Sequence, residues 1–424
     1  MSKPLQPVRG THDLIGRDCA AYQHVVDVAA RVAGCYGFAP IMTPVFENSD
    51  VFHRTLGDTS DVVSKETYSF TDRGGESITL RPEFTAGVAR AFISNGLQQH
   101  VPCKYFYAGA AFRYERPQKG RMRQFHQIGV ELLGAPEVQA DIEIIALGAQ
   151  VIAALGLSEQ VTLELNSLGD GPSRAAYRTA LVTYLQAHKD QLSDDSLTRL
   201  AKNPLRVLDS KAPQDKAVVA NAPSMHAFFN DGANAFFAQL CAGLDALGIA
   251  YTHNPNLVRG LDYYSHTVFE FTTQALGAQN TVLAGGRYDG LIELMGGQPT
   301  AGIGFAAGVE RLMALIEETN AASLPAPTRP IVLVPLGDAA EAQALHIAYR
   351  LRGAGFVIEQ AYKGNMSKRL KKANQQNALA AIILGEDELK NGVASLRIFD
   401  SSEQRNVPLD DLEQALAAIR NEAL

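Results

Sequence analysis

The 424-residue sequence contains few cysteines and no long apolar runs. Its cysteines include no C-x-x-C pair, and their wide spacing fits neither a zinc site nor a disulfide framework. They are Cys19, Cys35, Cys103 and Cys241. The apolar runs, such as LAAIILG at 379–385, are far shorter than the roughly 20 residues that a membrane-spanning helix needs. These absences predict a protein of a reducing compartment with no membrane partner.

Motifs for metal binding and for secretion are also missing. No H-x-x-x-H or H-E-x-x-H spacing occurs, so the sequence predicts no protein-bound transition metal. The first residues, MSKPLQPVRGTHDL, contain no apolar core of signal-peptide length, and we expect a cytoplasmic protein. With 46% hydrophobic and 20% charged residues and no internal repeat, the chain has the composition of a globular protein.

The charge is acidic overall but basic at one place. A net charge of -7 argues against a protein that coats nucleic acid, yet a local basic groove remains compatible with it. Five cations and one acid, Glu115, lie within eleven residues. The cations are Arg113, Arg116, Lys119, Arg121 and Arg123. Arginine binds phosphate oxygens bidentately, so a phosphate ligand is one interpretation. A solvated edge hairpin, protected from aggregation by its charges, is the other.

A proline-rich linker at 319–330 predicts two domains. The segments of 1–325 predict an α+β domain with a mostly antiparallel sheet, since the strands within 68–131 follow each other too closely for parallel crossovers. Periodic apolar residues at about 170–250 predict a helical insertion in it. Residues 326–424 alternate apolar strands with helices, which predicts a small α/β domain with a mostly parallel sheet.

One predicted strand, QFHQIGVELLG, places polar groups on one face. Side chains alternate along a strand, so Phe125, Gln127, Gly129 and Glu131 point the same way. This face presents an amide and a carboxylate beside a glycine that leaves room for another group. We expect another group to occupy that room.

Three further segments contain candidate binding residues. In ITLRPEFTAGVAR, Glu83 and Thr85 are predicted to share a face at the end of a strand, although a helix cap explains them equally simply. In LVRGLDYYSHTVFEF, Arg259 precedes two tyrosines that either bind a ligand or lie at the core edge. In GIGFAAGVERL, a glycine-rich turn is predicted to open a helix that carries Arg311, which a solvated surface position would also explain.

In chain order, five segments resemble motifs of the class II aminoacyl-tRNA synthetases, specifically the bacterial histidyl-tRNA synthetases. They are GFAPIMTPVFE, FRYERPQKGRMRQFHQIGVELLG, LVRGLDYYSHTVFE, AGGRYDGL and GIGFAAGVERL. The first, second and fifth are similar to the three motifs of the class, and the other two to signatures of histidyl-tRNA synthetases alone. The resemblance spans essentially the whole chain.

This resemblance implies how ATP would be bound. Arg113 would hold the α-phosphate and Arg311 the γ-phosphate, and Arg121 belongs to the same site. Arg259 would contact both the α-phosphate and the histidine carboxylate, so that Arg113 and Arg259 are the expected catalytic cations. Mg²⁺ would be held mainly by the ATP phosphates.

It also implies how histidine would be bound. Glu83, Thr85 and Gln127 would bind the α-amino group. Phe84 stands between the first two, where many bacterial members have glycine, and we expect its side chain to point away from theirs. This departure concerns the shape of the pocket.

The imidazole would be recognised by Glu131 and Tyr264, with Tyr263 adjacent. L-Histidine would react with ATP to form histidyl-adenylate and pyrophosphate, and the histidine would then be transferred to tRNA-His. The family likeness further implies a homodimer, formed through the first motif.

Cations outside the ATP site are candidates for contact with tRNA. They are Arg116, Lys119 and Arg123 in the basic loop, and Lys368, Arg369, Lys371 and Lys372 in the C-terminal domain. The C-terminal group would touch the anticodon arm, unless it is only a solvated helix face.

Two other functions fit parts of the same pattern. A catalytically inactive paralogue of this fold regulates the first enzyme of histidine biosynthesis, but it typically lacks the C-terminal domain and degrades the RGLDYY signature, both of which are present here. An unrelated ATP-dependent ligase would explain the arginines but not Glu131 and Tyr264.

Overall fold

The computed structural model describes most of the chain. The described residues are 4–56, 66–115, 122–208, 210, 212–258, 263–277, 280–319 and 328–422. They form two units, Met1–Pro325 and Ala326–Leu424.

The first unit contains two sheets. Its strands are β1 (Ala39–Pro40), β2 (Phe46–Asn48), β3 (Tyr68–Thr71), β4 (Ser77–Leu80), β5 (Cys103–Phe112), β6 (Gln124–Leu133), β7 (Thr162–Ser167), β8 (Thr252–His253), β9 (Ser265–Thr272), β10 (Thr281–Arg287) and β11 (Gly302–Gly308). The large sheet has the order β1-β5-β6-β11-β10-β9-β7-β8, and the small one β2-β4-β3. In the large sheet β1 and β8 pair in parallel with their neighbours, and the other pairings are antiparallel.

Helices cover one face of the large sheet and form the insertion. They are α1 (Arg17–Cys35), α2 (Asp50–Leu56), α3 (Thr85–Ser94), α4 (Val138–Ala154), α5 (Gly171–Ala187), α6 (Asp194–Lys202), α7 (Pro213–Val219), α8 (Asp231–Ala246), α9 (Leu291–Leu294) and α10 (Val309–Thr319). The insertion consists of α5 to α8. Its longest helices begin at good N-caps, since Asp170 accepts from the amide of Ser173 and Asn230 from that of Ala233, each at 2.8 Å.

Alternation along β6 separates the core from the site. Ile128, Val130 and Leu132 point into a hydrophobic core that is also formed by residues of α1, α4 and α10. Gln127 and Glu131 alternate with them and therefore point to the opposite face. The large sheet thus has one face buried against helices and one face free to carry polar side chains.

A buried ion pair fixes the end of β10. Arg287 is 0% exposed, and its guanidinium binds both carboxylate oxygens of Asp141 on α4. It also donates to Asp289 at 3.0 Å and to the carbonyl oxygens of Ala135 and Glu137. These bonds satisfy the buried cation, and Arg287 therefore anchors the end of β10 to α4.

The second unit is a five-stranded sheet with helices. Its strands are β12 (Ile331–Pro335), β13 (Ile358–Gln360), β14 (Ala380–Leu384), β15 (Val393–Ile398) and β16 (Gln404–Pro408), and its helices are α11 (Asp338–Gly353), α12 (Met366–Gln375), α13 (Glu386–Lys390) and α14 (Leu412–Glu422). The strands β13, β12 and β14 are parallel, whereas β15 and β16 are added antiparallel.

The predicted fold class is confirmed, and two local predictions are wrong. Residues 302–308 form strand β11 and not a glycine-rich turn, because small residues let it approach both neighbouring strands closely. Glu83 and Thr85 do not share a strand face, since β4 ends at Leu80 and α3 begins at Thr85. Within the described residues, no helix combines the length and the apolar character needed to cross a bilayer.

Candidate active site

A cavity of about 290 Å³ opens on the polar face of the large sheet. Its wall combines acidic, hydroxyl, amide and cationic side chains from elements that are distant in sequence. The predicted site residues on the wall are Glu83, Thr85, Arg113, Gln127, Tyr263, Tyr264 and Arg311. Glu131 lies directly behind the wall, where it binds the hydroxyls of two lining residues, Thr85 and Tyr288.

Three hydroxyl groups converge on the carboxyl group of Glu131. Oε1 contacts the hydroxyl of Thr85 at 2.7 Å and that of Tyr107 at 3.3 Å, and Oε2 contacts the hydroxyl of Tyr288. Glu131 is 1% exposed, so these bonds replace the solvation that a carboxyl group would have in water. The partners come from α3, β5 and the residue after β10, and the carboxyl group therefore joins three elements.

Burial raises the pKa of two acids at the cavity, Glu131 and Glu83. It raises the pKa of Glu131 to about 8; the charge of Glu83 adds to this effect, and the hydrogen bonds of Tyr288, Thr85 and Tyr107 oppose it. Burial likewise raises the pKa of Glu83, against the lowering effect of two backbone amides. Glu131 is consequently protonated in most molecules at neutral pH.

Glycines make room for this network. A Cβ atom on Gly304 would lie 2.0 Å from Oε2 of Glu131, and a Cβ atom on Gly129 would lie 2.2 Å from the hydroxyl oxygen of Tyr107. Both distances are far inside van der Waals contact. The room predicted beside Gly129 is therefore occupied by the Tyr107 hydroxyl group, which is a buried partner.

Glu83 is placed by the start of α3. Its two carboxylate oxygens accept hydrogen bonds from the amides of Thr85, at 2.6 Å, and Ala86, at 2.9 Å. These are first-turn amides without a partner inside the helix, so the cap that the sequence suggested is present. Capping holds Glu83 beside the hydroxyl of Thr85 on the cavity wall.

Gln127 brings an unsatisfied acceptor to the cavity. Its Oε1 atom is buried and has no hydrogen-bond partner among the described residues, although the residue lines the cavity. A buried amide oxygen without a donor is costly, so this position favours a ligand that donates a hydrogen bond.

Phe84 supports the network from behind. Its side chain is 2% exposed and stacks on Tyr107 with the ring centroids 4.4 Å apart and the planes 5° from parallel. The guanidinium of Arg81 covers it at 3.9 Å. Phe84 thus packs against Tyr107, while its neighbours Glu83 and Thr85 line the cavity.

The two predicted tyrosines, Tyr263 and Tyr264, also line the cavity. Tyr263 and Tyr264 are 5% and 7% exposed, with their rings 4.7 Å apart. Tyr263 also meets Tyr288 edge to face at 5.7 Å. The carbonyl oxygen of Tyr264 accepts a hydrogen bond from Arg174 in α5, which links this wall to the helical insertion.

Cationic side chains also line the cavity. Arg113 follows the end of β5, donates from Nε to the carbonyl oxygen of Pro82 at 2.9 Å, and lies over the ring of Phe125 at 5.3 Å. Arg311, on α10, donates to the carbonyl oxygen of Thr281 at 2.5 Å. Both arginines lie on the wall and are anchored through part of their donor groups.

Several predicted cations have other positions. Arg123 stacks on Tyr114 at 4.0 Å and is not on the cavity wall. The predictions for Arg116, Lys119, Arg121 and Arg259 lie outside the described residues.

The C-terminal cluster divides into exposed and buried members. Lys368, Lys371 and Lys372 are exposed on α12. Arg369 is 9% exposed and donates to the carbonyl oxygen of Pro335 at the end of β12. The predicted tRNA contact of Arg369 does not fit this burial; the residue anchors α12 to the sheet.

Sequence reasoning missed two tyrosines of the site, Tyr107 and Tyr288. Tyr107 is directly opposite Gly129 in the β5–β6 pair, and a large residue facing a glycine is a signal that the sequence contains. Tyr288 lies in AGGRYDGL, whose arginine is structural and whose tyrosine binds Glu131. It also missed Glu310, which binds Nδ1 of His126 at 2.7 Å beside Arg311.

Comparisons with known proteins agree on one family. The family model for histidyl-tRNA synthetase matches residues 10–312, and that for an anticodon binding domain matches residues 330–419. The chain is 57% identical to the histidine–tRNA ligase of Rhodospirillum rubrum and 56% identical to that of Gluconacetobacter diazotrophicus, over 97% and 98% of its length and 99% of theirs. It superimposes on the crystal structure of apo S. aureus histidyl-tRNA synthetase with a TM-score of 0.82 and 32% identity, covering 97% of this chain and 99% of that one.

Replacing Glu131 with glutamine should flatten the dependence of stability on pH. An unfolded glutamate ionises near pH 4.5, whereas the folded carboxyl group stays protonated up to about pH 8. Between these values the native state binds the additional proton, so the free energy of unfolding falls as pH rises, by at most about 1.4 kcal/mol per pH unit. Denaturant titrations of the wild type and Glu131→Gln across this range measure the difference. Glu76→Gln, at an exposed turn, should keep the wild-type slope, and equal slopes for all three proteins would contradict the assignment.

Proposed function

The chain belongs to the histidyl-tRNA synthetase family and is a histidine–tRNA ligase, and we propose that its cavity activates L-histidine with ATP to histidyl-adenylate, with release of pyrophosphate, and then transfers the histidine to tRNA-His. The observation that carries this proposal is the combination of groups at one cavity. A buried carboxyl and hydroxyl network suited to a small polar ring lies at the same cavity as arginines suited to phosphates.

The α-amino group of histidine fits the acceptors at the start of α3 and on β6. An ammonium group has three N–H donors and no acceptor. Oε1 of Gln127 lacks a donor among the described residues, and the carboxylate of Glu83 and the hydroxyl of Thr85 lie on the same wall. Binding the ammonium group satisfies Gln127 and favours the ionised form of Glu83.

The imidazole fits the network around Glu131. A neutral imidazole presents one N–H donor and one lone pair, and hydroxyl or carboxyl groups bind either of them. Glu131 and Tyr264 are the proposed partners, with Tyr263 adjacent. Tyr288 and Thr85 hold the carboxyl group of Glu131 in one orientation. Such a site leaves buried polar groups unpaired with other amino acids, and sites of this kind discriminate by roughly 10⁴–10⁵.

The phosphates of ATP fit the arginines that line the cavity. Arg113 is the proposed ligand of the α-phosphate and Arg311 that of the γ-phosphate, while Arg121 and Arg259 are assigned from their sequence motifs. Mg²⁺ held mainly by the ATP phosphates would neutralise charge on the leaving pyrophosphate. Glu115 and Glu310 line the same cavity, and their carboxylates are the proposed protein contacts of this ion.

The reaction then has two steps. A carboxylate oxygen of histidine attacks the α-phosphorus, the bond to the β-phosphate oxygen breaks, and pyrophosphate leaves. Next, the 3′-hydroxyl of the terminal tRNA adenosine attacks the carbonyl carbon of histidyl-adenylate, and AMP leaves as a phosphate oxygen takes the proton. The first step depends on positioning and on charge stabilisation by Arg113, Arg259 and Arg311, and neither step forms a covalent enzyme intermediate.

Amino-acid-dependent ATP–pyrophosphate exchange without tRNA tests this proposal. We expect histidine alone among the twenty amino acids to stimulate exchange, because the other side chains leave the Glu131 network unpaired. Calorimetric histidine binding without any exchange would contradict it and would favour the regulatory function instead. Exchange with several amino acids would contradict the proposed imidazole pocket.

We also propose a homodimer formed through the segment after β1. Exposed apolar side chains cluster on this segment and on β3, with exposed fractions of 94% for Met42, 55% for Phe46 and 50% for Phe70. Large exposed apolar residues in one region are typical of an interface. Light scattering should give a dimer for the wild type and a monomer for Phe46→Glu. Leu345→Glu, at an exposed position in the second unit, should remain dimeric; a monomeric wild type would contradict the proposal.

The exposed lysines of α12 are the proposed tRNA contact of the second unit. Replacing Lys368, Lys371 and Lys372 with alanine should weaken tRNA binding and reduce the slope of log affinity against log salt concentration by roughly 2 to 3. Pyrophosphate exchange should not change, because it needs no tRNA. Lys390→Ala serves as the control. An unchanged salt slope would mean that α12 is only a solvated face.

A further inference from the structure

Three polar side chains that are far apart in the sequence meet at the edge of the large sheet. Asn166 is on β7, His253 is on the edge strand β8, and His226 is in the short turn Met225–Phe228 that precedes α8 of the insertion. The two Nε2 atoms are 3.1 Å apart. Oδ1 of Asn166 lies 3.1 Å from Nε2 of His226 and 3.4 Å from Nε2 of His253.

The asparagine is held with its oxygen facing the imidazoles. Asn166 is 0% exposed, and its Nδ2 group donates to the carbonyl oxygens of Pro255, at 3.2 Å, and Leu257, at 3.0 Å. Rotating the amide would break both bonds and would bring its acceptor oxygen against the two carbonyl oxygens. Oδ1 is therefore a fixed acceptor, built into the sheet rather than attached to a mobile surface chain.

The three atoms that meet here, Nε2 of His226, Nε2 of His253 and Oδ1 of Asn166, have more lone pairs than N–H protons. A neutral imidazole has a single N–H group, on one of its two ring nitrogens. An N–H group that points into the cluster satisfies only part of its hydrogen-bond acceptors. A bound cation would accept a lone pair from all three atoms.

The distances suit one transition-metal ion. A circle through the three ligand atoms has a radius of about 1.85 Å. A metal ion about 0.9 Å out of their plane would therefore lie about 2.05 Å from each atom, which is a usual length for metal–nitrogen and metal–oxygen bonds. The rings of Phe229 and Phe237 pack against His226 with centroids at 4.5 and 5.1 Å and restrict its rotation. His253 is exposed, so water can reach the remaining coordination positions.

We propose that His226, His253 and Asn166 form a binding site for a divalent transition-metal ion of the kind that imidazole prefers, such as Ni²⁺ or Zn²⁺. The described part of the chain contains no group of three His, Cys, Asp or Glu side chains for a metal, and this site differs in taking an asparagine oxygen as its third ligand. A metal bound here joins the turn before α8 to strands β7 and β8. It stabilises the folded chain because the ligands are not assembled in the unfolded one.

The test is calorimetric titration of the full-length, tag-free protein with NiCl₂. The wild type should bind one ion per chain, and His253→Ala should weaken binding at least tenfold. His253 is exposed, so its replacement should leave the protein folded; His226→Ala is the second ligand variant and should also weaken binding. His346→Ala, which removes an exposed histidine from α11, should bind as the wild type does.

A thermal melt gives an independent readout. Saturating NiCl₂ should raise the melting temperature of the wild type and of His346→Ala, but not that of His253→Ala. The absence of nickel binding by the wild type, or binding as tight as that of the wild type in both His253→Ala and His226→Ala, would overturn the proposal. Neither measurement uses catalytic activity, so failure here leaves the proposed function untouched.

Discussion

The buried carboxyl group of Glu131 is the constraint on which the rest of the site depends. A carboxyl group can leave water only if its oxygens find other hydrogen-bond partners, and here they find the hydroxyls of Thr85, Tyr107 and Tyr288. These side chains come from a helix, a strand and a loop that are otherwise separate. Their common partner fixes the shape of one end of the cavity, and burial keeps that partner protonated at neutral pH.

The backbone around Glu131 leaves room for the buried carboxyl group and its hydroxyl partners. Strand β11 can lie beside Glu131 only because Gly304 has no side chain, and Tyr107 can reach it only because Gly129 has none. Arg287, bound to Asp141, fixes the end of β10 next to Tyr288. The sheet therefore delivers polar atoms at fixed positions on one face while its other face is packed against helices. A rigid scaffold of this kind suits a reaction that needs positioning more than covalent help.

The sequence predicted those features that depend on local order. Period-two alternation correctly placed Gln127 and Glu131 on one face of β6, and the linker and apolar patterns led to the right fold class. It failed where the local pattern was ambiguous: the glycines of 302–308 indicated a turn, whereas they serve close strand packing. It also failed where residues meet only through the fold. Nothing in the spacing of Asn166, His226 and His253 indicates that they converge, and Tyr288 was hidden in a motif dominated by Arg287.

Infrared difference spectroscopy of the folded protein tests the central claim most directly. At pH 7 the wild type should show the carbonyl stretch of a protonated, buried carboxyl group, and Glu131→Gln should lose that band while the bands of other buried acids remain. This result would establish Glu131 as a neutral group that organises the cavity through hydroxyl partners. If the band of protonated carboxyl groups is the same in the two proteins, Glu131 is ionised, and the account of the site as a network around a neutral carboxyl group is wrong.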